Sequence, residues 1–190
     1  MKIGLFFGSF NPIHIGHLAI ANYFVEYTDL QQVWFVVTPQ NPFKEKKSLL
    51  AENHRLALVN EAIVYDNRFK ASDIEFNMPK PSYTIDTLTY LSEKYSEKEF
   101  VLIMGADNII NIHKWKNAEQ ILNNYQIYVY PRPNIDISFL ENKPQIKITK
   151  APIIEISSSF IRKAIKDKKD VRYFLNPNVF KYLDEMNFYK

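Results

Sequence analysis

Cysteine is absent from the 190 residues of this sequence. Its absence excludes disulfides, thiolate metal sites and a cysteine nucleophile. Long hydrophobic runs are also missing, since none approaches the roughly 18 uninterrupted apolar residues of a membrane-spanning helix. The first residues show no signal-peptide cleavage pattern. We therefore expect a cytoplasmic protein without a membrane partner.

Charge of one sign is scarce as well. The formal net charge is +3, and the lysine-rich stretches 44–47 and 166–169 are short. Such runs are usually solvated surface, so we expect no nucleic-acid partner. Hydrophobic residues make up 46% of the chain and charged residues 24%, as in an ordinary globular protein. A chain of this length can bury a substantial core, and we predict one domain over residues 1–190.

Apolar runs alternate with helical patterns along the chain. The runs are continuous, as in strands covered on both faces, and comprise residues 3–7, 33–37, 100–104 and 127–130. Apolar residues at helical spacing lie between them, around Leu18, Leu56 and Ile85. This order predicts an α/β fold, a doubly wound parallel sheet with helices on both faces. Such sheets bind ligands at the carboxyl ends of their strands.

A last helix is predicted near residue 177. Asn176 precedes Pro177, as an N-cap precedes proline at the first helical position. Val179, Leu183 and Met186 follow as an apolar stripe, which indicates a packing helix.

The most informative stretch directly follows the first apolar run. Residues 8–17 read GSFNPIHIGH, and the chain has only four glycines, of which Gly8 and Gly16 lie here. A strand, a tight loop and a helix start would place His14 and His17 on one helical side, next to unpaired N–H groups that favour an anion. Histidine can still carry charge near neutral pH, which suits phosphate chemistry. An H-x-x-H pair is otherwise surface decoration or a weak metal pair.

A second stretch, residues 156–162, reads ISSSFIR. Its serines either cap a helix or join Arg162 in a phosphate clamp, because hydroxyls, free N–H groups and a guanidinium all bind phosphate.

The first stretch resembles the G-x-F-x-P-x-H-x-G-H motif of the nucleotidyltransferase superfamily, and the second is similar to the I-S-S-T-x-I-R motif of its adenylyltransferases, with Ser159 in place of threonine. The resemblance implies a Rossmann-like fold and an ATP site. It assigns to ATP the residues Gly8, Ser9, Phe10, His14, His17, Ile156, Ser157, Ser158 and Arg162.

Two segments after later strands extend this ATP site. Gly105 and Asp107 follow the run 100–104, where glycine permits close approach and a carboxylate can accept ribose hydroxyls. The alternative is an ordinary turn, but the segment is similar to a G-x-D element of the family. Arg132 follows the run 127–130 and is a second candidate for the ATP phosphates.

Residues 82–87 read SYTIDT, which closely resembles an element of nicotinate mononucleotide adenylyltransferases. Ser82 or Thr84 would otherwise cap a helix. Trp115 either belongs to the core or stacks on a pyridine ring. The resemblance implies that N–H groups near Thr84 and Lys116 recognise the pyridine carboxylate. The residues expected at nicotinate mononucleotide are Ser9, Lys44, Arg55, Tyr83, Thr84, Trp115 and Lys116.

Some positions leave alternatives open. Many relatives have histidine where Phe43 stands, which leaves Lys44 as the phosphate contact. Arg55 is either surface or reaches the substrate phosphate. By length and position after strands, segments 38–50 and 106–118 are candidates for loops that close over substrate.

The family resemblance implies adenylyl transfer from ATP to nicotinate mononucleotide, giving nicotinate adenine dinucleotide and pyrophosphate, a step of NAD biosynthesis. The catalytic residues would be His14, His17, Lys44 and Arg162, and Mg²⁺ would be carried by the phosphates, with no protein metal site. The alternatives are a nicotinamide mononucleotide or phosphopantetheine adenylyltransferase and, from a different class, a non-catalytic nucleotide-binding module. The oligomeric state stays open, and a homo-oligomer is compatible with the sequence.

Overall fold

The structure is a computed structural model that describes residues 1–39 and 49–190. Over these residues the chain alternates strands and helices. The strands are β1 (Lys2–Gly8), β2 (Gln32–Val37), β3 (Phe69–Ser72), β4 (Glu99–Gly105), β5 (Gln126–Tyr130) and β6 (Ile146–Ile148). The α-helices are α1 (Ile15–Tyr27), α2 (Glu52–Ile63), α3 (Thr84–Lys94), α4 (Ala106–Ile109), α5 (Ala118–Asn124), α6 (Ser158–Lys166) and α7 (Pro177–Glu185).

These six strands form one sheet in the order β3-β2-β1-β4-β5-β6, and each neighbouring pair is parallel. The direction in which strands are added reverses between β1 and β4, so a crevice opens beyond their carboxyl ends. Gly8 ends β1 and Gly105 ends β4 at this crevice. The predicted doubly wound parallel sheet is confirmed.

Helices cover both faces of the sheet. On one face Phe24 of α1, Leu58 of α2, Ile161 of α6 and Val179 of α7 share a buried cluster. On the other face, side chains of α3, α4 and α5 pack in a second cluster, of which Leu88 is fully buried. Burying each such side chain contributes about 1.5–3 kcal/mol. The continuous apolar strands are explained by this double covering.

Two strands lack the continuous apolar runs of the others. β3 and β6 are the edge strands of the sheet and have only four and three residues. Each contains a lysine on its exposed side, which interrupts the apolar pattern. Sequence reasoning missed both because a short edge strand needs only one covered face.

Two local predictions have different outcomes. Asn176 caps α7, since its side chain accepts a hydrogen bond from the N–H of Asn178, and Pro177 is the first helical residue, as predicted. Segment 106–118, in contrast, is not an open loop: it contains α4 and a 3₁₀ turn over Ile112–Lys114.

None of the helices in the described part of the chain has the length and apolarity needed to cross a membrane.

Candidate active site

A cavity of about 500 Å³ lies at the carboxyl edge of the sheet, beyond β1 and β4. This volume is in the range of small-molecule sites. Residues from all the motifs meet in its wall, although they are far apart in sequence. The predicted site residues that line it are Gly8, Ser9, Phe10, His14, His17, Tyr83, Thr84, Asp107, Trp115, Lys116, Arg132, Ile156, Ser157, Ser158 and Arg162. Lys44 and Phe43 lie outside the described residues.

The histidine pair opens α1, as the spacing predicted. His14 is the N-cap residue, and its main-chain N–H donates to Nδ1 of His17 over 3.3 Å. The ring centroids are 3.8 Å apart with an interplanar angle of 32°. The two imidazoles therefore lie side by side at a helix N-terminus, where unpaired N–H groups favour an anion.

The charge of His14 differs from the expectation. Its side chain is buried, and Nδ1 has no hydrogen-bond partner among the described residues. Burial, together with a smaller effect of the positive charge of Arg132, lowers the pKa of His14 to about 4. His14 is therefore neutral at pH 7 in the free protein, which corrects the idea that both imidazoles carry charge there.

Phe10 packs against the ring of His17 from the protein interior. Its backbone is left-handed, with φ of 44°, and its side chain is only 1% exposed. The ring packs edge-on against His17, with centroids 5.1 Å apart, and against Phe35 at 5.5 Å. Phe10 thus lines the cavity mainly as a packing residue that fixes the His17 ring.

The second motif docks directly on the first. The Ser158 hydroxyl donates to the carbonyl of Pro12 over 2.8 Å, and the Arg162 guanidinium donates to the carbonyl of Asn11 over 2.8 Å. Arg162 also donates to the hydroxyl of Ser159. The Ser157 side chain accepts a hydrogen bond from the main chain of Phe160 and so caps α6. The capping alternative therefore holds for Ser157, while Ser158 and Arg162 join the two motifs.

An ion pair lies beside the end of β4. The Arg132 guanidinium donates to the Asp107 carboxylate over 3.1 Å and to the Tyr130 hydroxyl over 3.2 Å. Gly105 does not line the cavity itself, but a Cβ at this position would overlap the Asp107 carboxylate. Gly105 therefore leaves room for the present position of the Asp107 carboxylate, which would have to move aside for a Cβ, while its φ of −77° does not call for glycine.

Tyr83, Thr84, Trp115 and Lys116 form another wall of the cavity. Trp115 packs partly against the second core cluster while also facing the cavity, so both of its alternatives hold in part. Lys116 pairs with Asp86 over 2.8 Å. Thr84 is the first residue of α3, and the N-cap residue is Tyr83, whose side chain makes no capping hydrogen bond. The alternative in which Ser82 or Thr84 caps this helix therefore does not hold.

The polar residues of this cavity that the sequence did not predict as site residues include Glu75 and Asn11. Glu75 is 2% exposed, and its carboxylate accepts hydrogen bonds from Ser82 and Thr87 over 2.8 Å each. It stands alone in a short 3₁₀ segment, so no motif marked it. Asn11 lies inside the first motif, and its main-chain carbonyl accepts a hydrogen bond from Arg162. Its place within that motif was the only feature of the sequence that could have indicated it.

Arg55 does not reach the cavity. It is fully buried and donates four hydrogen bonds, of 2.7 to 3.0 Å, to the carbonyls of Ser9, Thr38, Pro39 and Leu50. Arg55 was predicted either to lie on the surface or to contact the substrate phosphate. Both predictions are wrong, because its guanidinium is buried and donates its hydrogen bonds to main-chain carbonyls. Arg55 instead joins the segments that follow β1 and β2.

Comparison with known proteins agrees with this geometry. Residues 5–164 match the model of the cytidylyltransferase-like family. The chain is 58% identical to the probable nicotinate-nucleotide adenylyltransferase of Flavobacterium psychrophilum, over all of both chains. It is 50% identical to that of Bacteroides fragilis, over 95% of this chain and 90% of the other.

The chain belongs to the nicotinate-nucleotide adenylyltransferase family. It is therefore an enzyme, a nucleotidyltransferase of NAD biosynthesis. Its fold matches a solved structure of Plasmodium falciparum nicotinic acid mononucleotide adenylyltransferase complexed with NaAD, with a TM-score of 0.84. The match has 22% identity and covers 99% of this chain and 97% of the other.

We expect Arg55→Met to destabilise the enzyme by about 2–4 kcal/mol, because four carbonyls lose a charged donor in a buried setting. The measurement is the free energy of unfolding from denaturant titration. Arg68→Met is the control, since Arg68 is partly exposed and its ion pairs with Asp66 and Glu26 contribute little. Equal stability of Arg55→Met and wild type would contradict the role of Arg55.

We also expect the His14 imidazole to stay unprotonated between pH 7 and pH 5, because its pKa is about 4 in the folded state. In the unfolded chain, His14 has an ordinary pKa of about 6.5 and takes up a proton there. Because only the unfolded state gains this proton, the free energy of unfolding decreases as pH falls from about 6.5 towards 4. Imidazole ¹⁵N chemical shifts measured against pH test the first part. A His14 titration midpoint near 6.5 would show that the ring is not desolvated.

Proposed function

We propose that this enzyme transfers the adenylyl group of ATP to nicotinate mononucleotide, releasing pyrophosphate and forming nicotinate adenine dinucleotide. The observation that carries the proposal is the convergence of five sequence motifs on one cavity. The histidine and serine–arginine motifs line one part, and the tyrosine–threonine and tryptophan–lysine segments line another. This division of the wall suits a triphosphate at the first part and a pyridine nucleotide at the second.

The proposed reaction is a direct in-line displacement at the α-phosphorus of ATP. The mononucleotide phosphate is already an anion, so it attacks without a general base and without a covalent enzyme intermediate. Catalysis then consists of positioning and charge stabilisation. Adenylyltransferases of this family use ATP with a divalent metal ion, which we take to be Mg²⁺ carried by the phosphates. The described residues contain no cluster of three or more metal-ligating side chains.

The part of the cavity around the histidine and serine–arginine motifs would bind the phosphates. His14 and His17 contact the α- and β-phosphate oxygens at the start of α1, and Arg162 adds positive charge from α6. Neutral His14 acts as a hydrogen-bonding group, and an arriving phosphate favours its protonation because opposite charge raises a histidine pKa. Lys44 keeps its predicted role at the mononucleotide phosphate, and Gly8, Ser9, Ser157 and Ser158 supply N–H groups and hydroxyls.

The nucleoside and pyridine parts use the remaining wall. Asp107 would accept ribose hydroxyls, and Arg132 would reach the ATP phosphates after leaving its ion pair. Thr84 is the first residue of α3, so its N–H lacks an intrahelical acceptor and suits the pyridine carboxylate. Trp115 would stack on the ring. Because Asp86 already pairs with Lys116, we assign carboxylate recognition to main-chain N–H groups rather than to the Lys116 charge.

The test is pyrophosphate release from ATP and Mg²⁺ with nicotinate mononucleotide, nicotinamide mononucleotide or phosphopantetheine as acceptor. We expect the highest kcat/KM with the nicotinate form. A higher kcat/KM with another acceptor would leave the assignment of the ATP-phosphate residues intact and overturn the roles given to Thr84 and Trp115. No turnover with any acceptor, together with tight nucleotide binding, would favour a non-catalytic module.

We predict that His17→Ala lowers kcat by roughly 10²–10³, as for the loss of one group that stabilises transition-state charge. The KM for ATP should change less, since the interaction is strongest in the transition state. Steady-state pyrophosphate release measures both. His113→Ala, an exposed histidine outside the cavity wall, is the control. Near wild-type turnover of His17→Ala would remove His17 from the mechanism.

A further inference from the structure

Glu75 is a buried carboxylate that the proposed mechanism does not use. It lies in the 3₁₀ segment Ile74–Asn77 after β3, is 2% exposed and lines the cavity. It forms no ion pair within the described part of the chain. A carboxylate in such a position costs free energy unless hydrogen bonds compensate for the lost water.

Hydroxyl groups from separate segments provide this compensation. Ser82, in the loop before α3, donates to one carboxylate oxygen over 2.8 Å, and Thr87, in the first turns of α3, donates to the other over 2.8 Å. The side chain of Thr38, which follows β2, also faces the carboxylate and favours its charged form. Burial raises the pKa of Glu75, and the hydroxyls of Thr87, Ser82 and Thr38 oppose the increase because they favour the anion.

The hydroxyls fix the pyridine wall on both sides. Tyr83 and Thr84 lie between Ser82 and Thr87, so the carboxylate holds the two ends of the segment that turns into α3. Thr38 connects the same carboxylate to the histidine loop, since its N–H donates to the carbonyl of Gly8 over 2.9 Å. A single side chain therefore sets the position of the pyridine wall relative to the end of β1.

We propose that Glu75 is a positioning residue for the acceptor: its carboxylate gathers the hydroxyls of Ser82, Thr87 and Thr38 and thereby holds Tyr83 and Thr84 in the geometry that binds the mononucleotide. The inference rests on the proposed function, because it concerns the acceptor half of that site. Glu75 contacts the wall rather than the reacting atoms. Its removal should therefore affect acceptor binding and leave ATP binding unchanged.

Glu75→Gln is the informative variant because it keeps the size of the side chain. One carboxylate oxygen becomes an NH₂ group, so at least one hydroxyl must turn from donor to acceptor. We expect the KM for nicotinate mononucleotide to rise about tenfold, because one strong hydrogen bond no longer holds the segment that carries Tyr83 and Thr84. The KM for ATP should stay within about twofold of wild type, which also shows that the variant is folded.

Matched variants separate positioning from general damage. Glu97→Gln makes the same chemical change at an exposed carboxylate away from the cavity and should leave both KM values unchanged. Thr87→Ser keeps the hydroxyl and should behave as wild type, whereas Thr87→Val removes it and should raise the KM for the acceptor. Direct calorimetric binding of nicotinate mononucleotide should weaken in parallel with that KM.

The outcomes are distinct. Unchanged acceptor KM and binding in Glu75→Gln overturn the proposal. An equal rise in both KM values also overturns it, because it would indicate a purely structural role. If the wild-type enzyme uses another acceptor in preference to nicotinate mononucleotide, the proposed function is wrong. The role of Glu75 is then tested by measuring the KM for that acceptor in the same variants. If wild type turns over none of the acceptors tested and binds none of them, both proposals fail together.

Discussion

The loop between β1 and α1 carries carbonyl groups that neither the strand nor the helix can satisfy, and buried carbonyls need donors. Side chains from distant elements provide them. Arg55 of α2 binds the carbonyl of Ser9, Arg162 of α6 binds that of Asn11, and Ser158 binds that of Pro12. The conformation of the loop is thereby fixed by the rest of the domain, and the histidines that follow it start α1 from a defined point.

This dependence on contacts between distant segments also explains which features could be predicted from the sequence and which could not. The central strands were predicted because both of their faces are covered, so the apolar runs are continuous. The site was predicted in outline because motif residues at strand and helix ends converge at one sheet edge. The role of Arg55 was not, since a single arginine on a helix gives no sign that loop carbonyls will surround it.

Glu75 and the edge strands were missed for a related reason. The environment of Glu75 is made by three hydroxyls from segments that become neighbours only after folding. β3 and β6 extend the sheet through main-chain hydrogen bonds, which almost any side chain permits. In the first motif, the spacing of His14 and His17 predicted that they lie together, although His14 is the extended N-cap residue that precedes the helix. The neutrality of His14 depends on burial and on Arg132. A sequence motif carries the identity of these groups, whereas their charge state depends on neighbours from other parts of the chain.

The burial of the His14 Nδ1 atom has a consequence for how the cavity discriminates between ligands. This atom has almost no solvent-exposed surface and no hydrogen-bond partner in the described structure. The cost of removing it from water was therefore met on folding, and a molecule that enters the cavity neither adds to that cost nor relieves it unless the ring moves. Selectivity between ligands must therefore come from polar groups that remain on the cavity surface, such as the Arg132 guanidinium and the Asp107 carboxylate.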